Sequence, residues 1–439
     1  MPTPSLLIVP ARFKSGKLYS QLPTSGAGDF TVTRATNATR VNASGLIESV
    51  ASGIPRLDYF SSDGTVGCPA LLVEPSAQNL AKYSDQFNTV TSGWTPTALQ
   101  TITGNTNATL DPAGGNTADL IVATTGNTQH YLQANTNNLP AFVSGTTYTY
   151  SVFAKATSLT SGFVQIHFGA INFSPALPFA NFQISGNGAI TTGTYSAASI
   201  QQFGNGWYRC SITATAAVSG NAAAVFTPIL ASGTARAGTF AGNGVDGVYL
   251  WGAQLETGSV ATSYIPTTTA SVTRNADVVS VSGAVSGSIG QLSGTIYAEV
   301  DVRLLGSARN FIAATLNSNT TDFVGFQINS SNQFFARMRN KTGSLVDVVA
   351  SGVTTTAGMH KLACSYSSGN ITFALDGVII GTNTNANTDF NAALNCVLLG
   401  AVPAATTGGT QSGFSNDRIL AAALYTTRLS NAELAALTA

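Results

Sequence analysis

Charge is what this sequence has least of. Asp, Glu, Lys and Arg make up 9% of its 439 residues, and 19 basic residues are balanced by 19 acidic ones. Without a basic surplus there is no footprint for a phosphate backbone, which excludes nucleic acid as a partner and speaks against anchoring on an anionic membrane. Long apolar runs are missing too. Hydrophobic residues reach 44%, but stretches such as "LLIV" and "AALY" fall far short of the roughly 20 residues a spanning helix requires. No membrane insertion is expected. The opening "MPTPSLLIVPARFKSGKLYS" has neither a basic n-region nor a long apolar h-region, so it does not read as a secretory signal. Synthesis in a cytoplasm, with release by another route such as lysis, is the expectation.

Chemistry-bearing residues are sparse as well. The four cysteines, Cys68, Cys210, Cys364 and Cys396, stand singly, with no CxxC spacing for zinc. Buried free thiols are expected; a Cys364–Cys396 bridge stays open, because both lie in expected strands of one section. The three histidines, His130, His167 and His360, form no HExxH, and neither GxSxG nor a P-loop occurs. No catalytic residue and no metal is assigned, and the chain is not read as an enzyme. Helical periodicity is confined to the final "LSNAELAALT", where Ser430 is the expected N-cap and Glu433 holds the capping-box position.

What stands in place of charge is Thr, Ser, Asn and Gly, which solvate a surface without ionising, and Thr also suits strands. Period-two runs broken by turn residues recur along the chain. In "TYTYSVFAKA", Tyr148, Tyr150, Val152 and Ala154 share a face; in "GTIYAEVDVRLL", Ile296, Ala298, Val300 and Val302 do. "DFVGFQINSSNQFFARMRN" reads as a hairpin turning at "NSSN", and "HKLACSYSSGNITFALDGVIIGT" as another turning at "SSGN", with "DG" at the next turn. The fold class is all-β: two antiparallel, jelly-roll-like β-sandwiches preceded by a largely irregular N-terminal docking segment. The expected division is an attachment segment at 1–80, a sandwich at 81–268, a linker at 269–284 and a second sandwich at 285–439.

Several blocks resemble known families. "NLAKYSDQF…W", "YTYSVFAK", "GWYRCSIT" and "LWGAQLETGSVATSYIPT…VTRNAD" together resemble the head-fibre or head-spike module of bacteriophage virion proteins, whose fold is like a carbohydrate-binding sandwich. "ATRVNASGLIESVASGIPRLDY…CPALLVEPSAQNL" is similar to the section that commonly precedes that module, and the C-terminal section resembles the concanavalin-like, laminin-G-type lectin fold. The resemblance implies a virion structural protein, a fibre, spike or decoration subunit on the outer surface of the particle. It also implies contact with other virion proteins through residues 1–80, a homo-oligomer with a trimer favoured, and adhesion to host surface glycans. A purely glycan-binding lectin and a phage-borne glycan-degrading enzyme are the alternatives.

In a chain this poor in charge, the segment from Arg34 to Phe60 is exceptional. Arg34, Arg40, Glu48, Arg56, Asp58 and the nearby Glu74 are read as a docking network, each arginine offering a fork to carbonyls or a carboxylate across a seam with a neighbouring chain or virion protein. "SVTRNADV" at Ser271–Val278 echoes "TVTRATNATRV" at Thr31–Val41. Glu299 and Asp301 share a strand face, as a glucanase pair would, but Leu304 and Leu305 stand where a further acid belongs. For glycan binding the candidates are Trp94 as an aromatic platform and Asn317, Asn319, Asp322 and Asp417 on turns. These turn residues are oxygen donors of the kind calcium takes, yet no dense acidic loop supports a calcium site; no cofactor is assigned.

Overall fold

The structure is a computed structural model that describes residues 2–60, 66–88, 93–134, 136–157, 162–169, 171–303, 308–343, 345–350, 356–401 and 415–439, apart from the side chains of residues 100 and 101. Strand dominates because the apolar residues alternate. In Thr147–Ala156, Tyr148, Tyr150, Val152 and Ala154 enter the core of the middle sandwich. The opposite face carries hydroxyls: Thr147 meets Thr215 and Thr149 meets Thr213 at 2.8 Å, and Ser199 meets Ser211 at 2.7 Å.

One sheet of this sandwich runs, in order, through Leu99–Thr103, Asp119–Ala123, Gly247–Thr257, Thr147–Ala156, Tyr208–Ala216 and Phe173–Ser174, with Ala197–Gln202 also paired to Tyr208–Ala216. The facing sheet runs through Trp94–Thr97, Tyr131–Ala134, Ala223–Ile229, Phe163–Gly169, Phe179–Gln183 and Ala189–Thr194. Phe142, Tyr148, Phe168 and Phe173 meet between them, with ring centroids 4.4 to 6.0 Å apart. After Gly247–Thr257 the chain turns back as a strap over the hydroxyl face. Gly258 accepts from Thr149 Oγ1 at 2.9 Å, and the Thr262 carbonyl accepts from Arg209 at 2.5 Å.

The C-terminal sandwich is larger than residues 285–439. One of its sheets runs through Val378–Asn383, Asn370–Leu375, Gly358–Ser367, Ser293–Val302, Asp417–Tyr425, Val66–Val73 and Leu57–Phe60, with Leu6–Ile8 also paired to Asp417–Tyr425. The other runs through Phe13–Lys14, Lys17–Leu18, Phe30–Thr33, Val278–Ser282, Cys396–Leu399, Arg309–Thr315, Phe323–Ile328, Phe334–Arg339 and Leu345–Val349. Leu6 lies opposite Leu424, and Val279 is flanked by Val32 and Leu399.

The all-β, two-sandwich reading stands, but residues 1–80 and 269–284 lie elsewhere than expected. Leu6, Ile8, Leu18, Phe30, Val32, Leu57, Leu71 and Val73 share one core with Val279, Ile296 and Phe311. Each fully buried side chain of this kind is worth about 1.5–3 kcal/mol of transfer free energy, so these strands are members of the sandwich. Segment 269–284 contains the strand Val272–Arg274 and the central strand Val278–Ser282; a linker does not fit such pairing. The middle sandwich is thereby an insertion. The chain leaves through Ala77–Asn79 and returns through Val272–Arg274, and these two strands pair as an antiparallel neck.

The local expectations for the C-terminal section hold in detail. Asn329 Oδ1 accepts from the backbone of Ser331 and Gln333 at 3.0 and 2.9 Å, closing the "NSSN" turn. Asp376 and Gly377 both take positive φ, 48° and 83°, as a two-residue hairpin turn of mirror-image type requires. Helix Asn431–Thr438 starts with the Ser430–Glu433 capping box. The cysteines are free: Cys210, Cys364 and Cys396 are buried as expected and form no bridge, whereas Cys68 is exposed, against the expectation of a buried thiol.

Candidate functional site

Three of the charged residues singled out above, Arg34, Arg56 and Glu74, converge with Arg274 and Asp277 on the seam between the two sandwiches. Arg34 follows Phe30–Thr33, Arg56 precedes Leu57–Phe60, Glu74 follows Val66–Val73, and Arg274 and Asp277 flank the exit from the neck. Arg34 donates to Asp277 at 2.8 Å and to the Ala51 carbonyl at 2.7 Å. Arg56 sits at the centre, 2.7 Å from Glu74 and paired also with Asp277. Arg274 pairs with Glu74 and donates to the Pro75 carbonyl at 2.7 Å. Ser263, on the strap of the middle sandwich, donates to Glu74 through its backbone at 2.8 Å and its hydroxyl at 2.6 Å.

All five ionic groups are sealed from solvent. Burial works against each charge, yet Asp277 and Glu74 outweigh it at Arg56 and raise that pKa. At Glu74 burial is likewise outweighed, chiefly by Arg274 and Arg56, and the carboxyl is held well below its usual range. At Arg34 burial prevails and lowers the pKa.

This geometry changes the meaning of the docking residues. Arg34, Arg56 and Glu74 dock the chain to itself, and buried Arg56 offers no surface to a second protein. The reason is that Asp277 and Ser263, the partners they reach, belong to the same chain. Asp58 accepts from the Val41 backbone at 2.7 Å and lies 3.6 Å from Arg418. Arg40 and Glu48 pair at 2.7 Å across the hairpin of Ala38–Val41 and Ile47–Val50, apart from the buried cluster. The echoed "TR" sequences put Arg34 and Arg274 on the two carboxylates of one network.

The glycan candidates do not converge. Trp94 is buried against Phe87, ring centroids 4.9 Å apart, and its indole N–H donates to the Tyr83 carbonyl at 3.2 Å. A tryptophan so placed is core and not a platform. Asp322 is buried and accepts twice from Asn391, at 3.0 and 2.7 Å. Asn319 is buried and holds the backbone of Thr321 at 3.0 Å, while exposed Asn317 exchanges bonds of 2.8 Å with Asn395. These amides and carboxylates close turns. Asp417 is also buried: it accepts from Arg309 at 2.6 Å and from the Arg303 backbone at 2.8 Å. Burial pushes its pKa up to about 6 despite Arg309. No group of three or more His, Cys, Asp or Glu suited to a metal ion occurs among the described residues.

What does form is a cleft of about 360 Å³ between the sandwiches. The ends of Ser293–Val302, Gly358–Ser367 and Asp417–Tyr425 meet the Leu57–Phe60 and Val66–Val73 hairpin there, with Ala197–Gln202 of the middle sandwich alongside. Ile200, Val302, Met359 and Leu420 supply apolar wall; Gln201, Asp301, Arg303 and Arg418 supply polar groups. Arg418 donates to Asp301 from Nε at 2.9 Å and again from Nη2, and its Nη1 donates to the Phe60 carbonyl. Arg303 and Arg418 lie 5.4 and 5.5 Å from the Phe60 ring centroid, within cation–π range.

One cleft wall is pinned by His360. Its Nδ1 is 2.7 Å from Asp376 and its Nε2 is 3.0 Å from the Thr356 carbonyl. Two acceptors facing two ring nitrogens is the pattern of an imidazolium. Burial opposes the charge, but the bonds to Asp376 and Thr356 outweigh it and raise the pKa. Arg303 and Arg418 escape sequence reasoning because each sits at a strand end among apolar neighbours, in "DVRLL" and "DRIL". The available signal was the charge itself, at the two ends of apolar strands.

Residues 273–435 match the laminin-G-type family model of the Concanavalin A-like lectin/glucanases superfamily. No curated protein sequence matches the chain. Among solved structures, the CBM40 of the Ruminococcus gnavus IT-sialidase, bound to alpha2,6 sialyllactose, is 19% identical with a TM-score of 0.29, over 34% of this chain and 83% of that one. The NanB sialidase of Streptococcus pneumoniae is 15% identical with a TM-score of 0.30, over 36% of this chain and 26% of that one. A heptameric SAP-like pentraxin from Limulus polyphemus is 13% identical with a TM-score of 0.28, over 33% and 68%. At these scores the three structures carry no functional argument. The match to the concanavalin A-like, laminin-G-type family model starts inside the segment expected to be a linker.

Proposed function

We propose that this chain is a glycan-binding display protein, with the cleft between its sandwiches as the ligand site. The observation that carries this is a mixed apolar and polar cleft of about 360 Å³, built against a domain of lectin-like superfamily. Ligand sites favour such junctions, typically at volumes of roughly 300–1,000 Å³ with a few placed polar groups. Binding, not cleavage, is the activity in this reading: Asp301 is committed to Arg418.

The setting we propose is the outer surface of a bacteriophage particle, as a fibre, spike or decoration subunit, with a homo-oligomer, trimer before other states, and other virion proteins as partners. The sequence blocks of the middle module and the charge-poor surface support it. Because Arg34, Arg56 and Glu74 are consumed within the chain, attachment in this setting uses other surface.

The test is a glycan microarray with the full chain, repeated with Gln201→Trp, whose indole fills the cleft. Binding lost in the variant supports the site; binding retained moves it elsewhere, and no binding on a broad array removes the reading. Reducing-sugar release would show an enzyme instead. Mass spectrometry of purified particles, with the chain present or absent, decides the virion setting.

A further inference from the structure

The cleft holds two arginines in different situations. Arg418 is satisfied: Asp301 takes two of its bonds, the Phe60 carbonyl takes a third, and Asp58 lies 3.6 Å away. Arg303 is anchored but not satisfied. Its backbone N–H is held by Asp417 and its guanidinium lies over Phe60. Its Nε is buried with no hydrogen-bond partner. It borders both the cleft and a cavity of about 30 Å³ shared with Asp58 and Arg209. Among the described residues no ion pair joins the Arg303 side chain to a carboxylate; Glu74 and Asp417 act on it only through longer-range charge.

From this placement we infer that the cleft selects a sugar bearing a carboxylate, with Arg303 as the group that reads it. The inference rests on the glycan-binding reading above. A rigid guanidinium fork with no direct ion pair among the described residues matches a planar carboxylate in two parallel bonds. Ile200 and Met359 are suited to the carbon faces of a pyranose, and Gln201 and Asp301 to its hydroxyls. Asp301, on the same cleft, repels a doubly charged phosphate more than a singly charged group.

The experiment is titration calorimetry on the full chain with glucuronate, N-acetylneuraminate, glucose and glucose 6-sulfate, at low and high salt, for the wild type, Arg303→Gln and Arg303→Lys. Charge-assisted bonds predict that a carboxylated sugar binds about 10- to 100-fold more tightly than its neutral counterpart. That advantage shrinks with salt, disappears in Arg303→Gln and is partly kept in Arg303→Lys. Should Arg303→Gln fail to fold, the salt dependence of the wild type decides. Equal binding of neutral and carboxylated sugars, or a preference for the sulfate, overturns the carboxylate and leaves the glycan reading intact. An acidic preference that survives in Arg303→Gln overturns the role of Arg303. Binding of none of the probes overturns this inference, while the microarray above judges glycan binding separately.

Discussion

Two clusters of the same residue types lie along one seam and have opposite characters. In the first, Arg34, Arg56, Arg274, Glu74 and Asp277 are sealed from solvent, and every charge has an ionic partner within the chain. In the second, Arg418 and Asp301 pair at the edge of a cleft, and Arg303 forms no ion pair among the described residues. The sealed cluster joins an inserted sandwich to the body that carries it. The open one holds a cation in reserve. In a chain that is 9% charged, exposure separates the two uses, because a buried charge must be answered internally.

The largest effect is expected at Arg56. Arg56→Ala leaves Glu74 and Asp277 buried with fewer cations, and removing one member of a buried pair costs about 3–5 kcal/mol. Urea unfolding should show that loss; a loss below about 1 kcal/mol would mean that water reaches the cluster and that it resembles the cleft.

Acid sharpens the contrast next. Glu74 is held well below its unfolded value, so its contribution is present above about pH 4.5 and disappears only as pH falls through the much lower folded value. Asp417, beneath the cleft, is raised to about 6 by burial. Between that value and its unfolded value of about 4 the folded state holds the extra proton, so this group makes the protein more stable as pH falls from 7 to 4.5. The expected gain is about 1–3 kcal/mol, read as an unfolding midpoint that rises on mild acidification and rises less in Asp417→Asn. A midpoint that falls steadily over this range would show that the sealed cluster titrates early.

Asp301→Asn is a milder perturbation. Arg418 retains the Phe60 carbonyl and nearby Asp58, so the cost should be about 1–2 kcal/mol; a cost equal to that of Arg56→Ala would erase the distinction between the clusters. Smallest is Arg40→Ala, which opens a partly exposed pair with Glu48. Double-mutant analysis with Glu48→Ala should give a coupling of about 0.2–1 kcal/mol that fades with salt.

The sequence showed strands and turns well because they are local. Tyr148, Tyr150, Val152 and Ala154 alternate as they pack, and Ser430 and Glu433 form the cap their spacing announces. Membership of a sandwich is not local. Leu6 means little until it lies opposite Leu424, and Phe30–Thr33 is four residues that become a sheet member through Val278–Ser282. The charged segment was legible as a seam, and Arg34, Arg56 and Glu74 do meet, but the far side of that seam, Asp277 and Ser263, lay beyond any local window. Trp94 and Asp322 misled because residue type alone does not report burial, whereas Arg303 and Arg418 belong to the cleft through strands distant in sequence.

The antiparallel neck of Ala77–Asn79 and Val272–Arg274 has an evolutionary consequence. Paired strands bring entry and exit to within about 5 Å, so whatever lies between them can be exchanged as a cassette without shifting the register of the host sandwich. The condition is that the newcomer supply a hydroxyl and an amide where Ser263 meets Glu74. Exchange of the insert would replace the edge strand Ala197–Gln202, and with it one wall of the cleft, while keeping the carrier that holds Arg303.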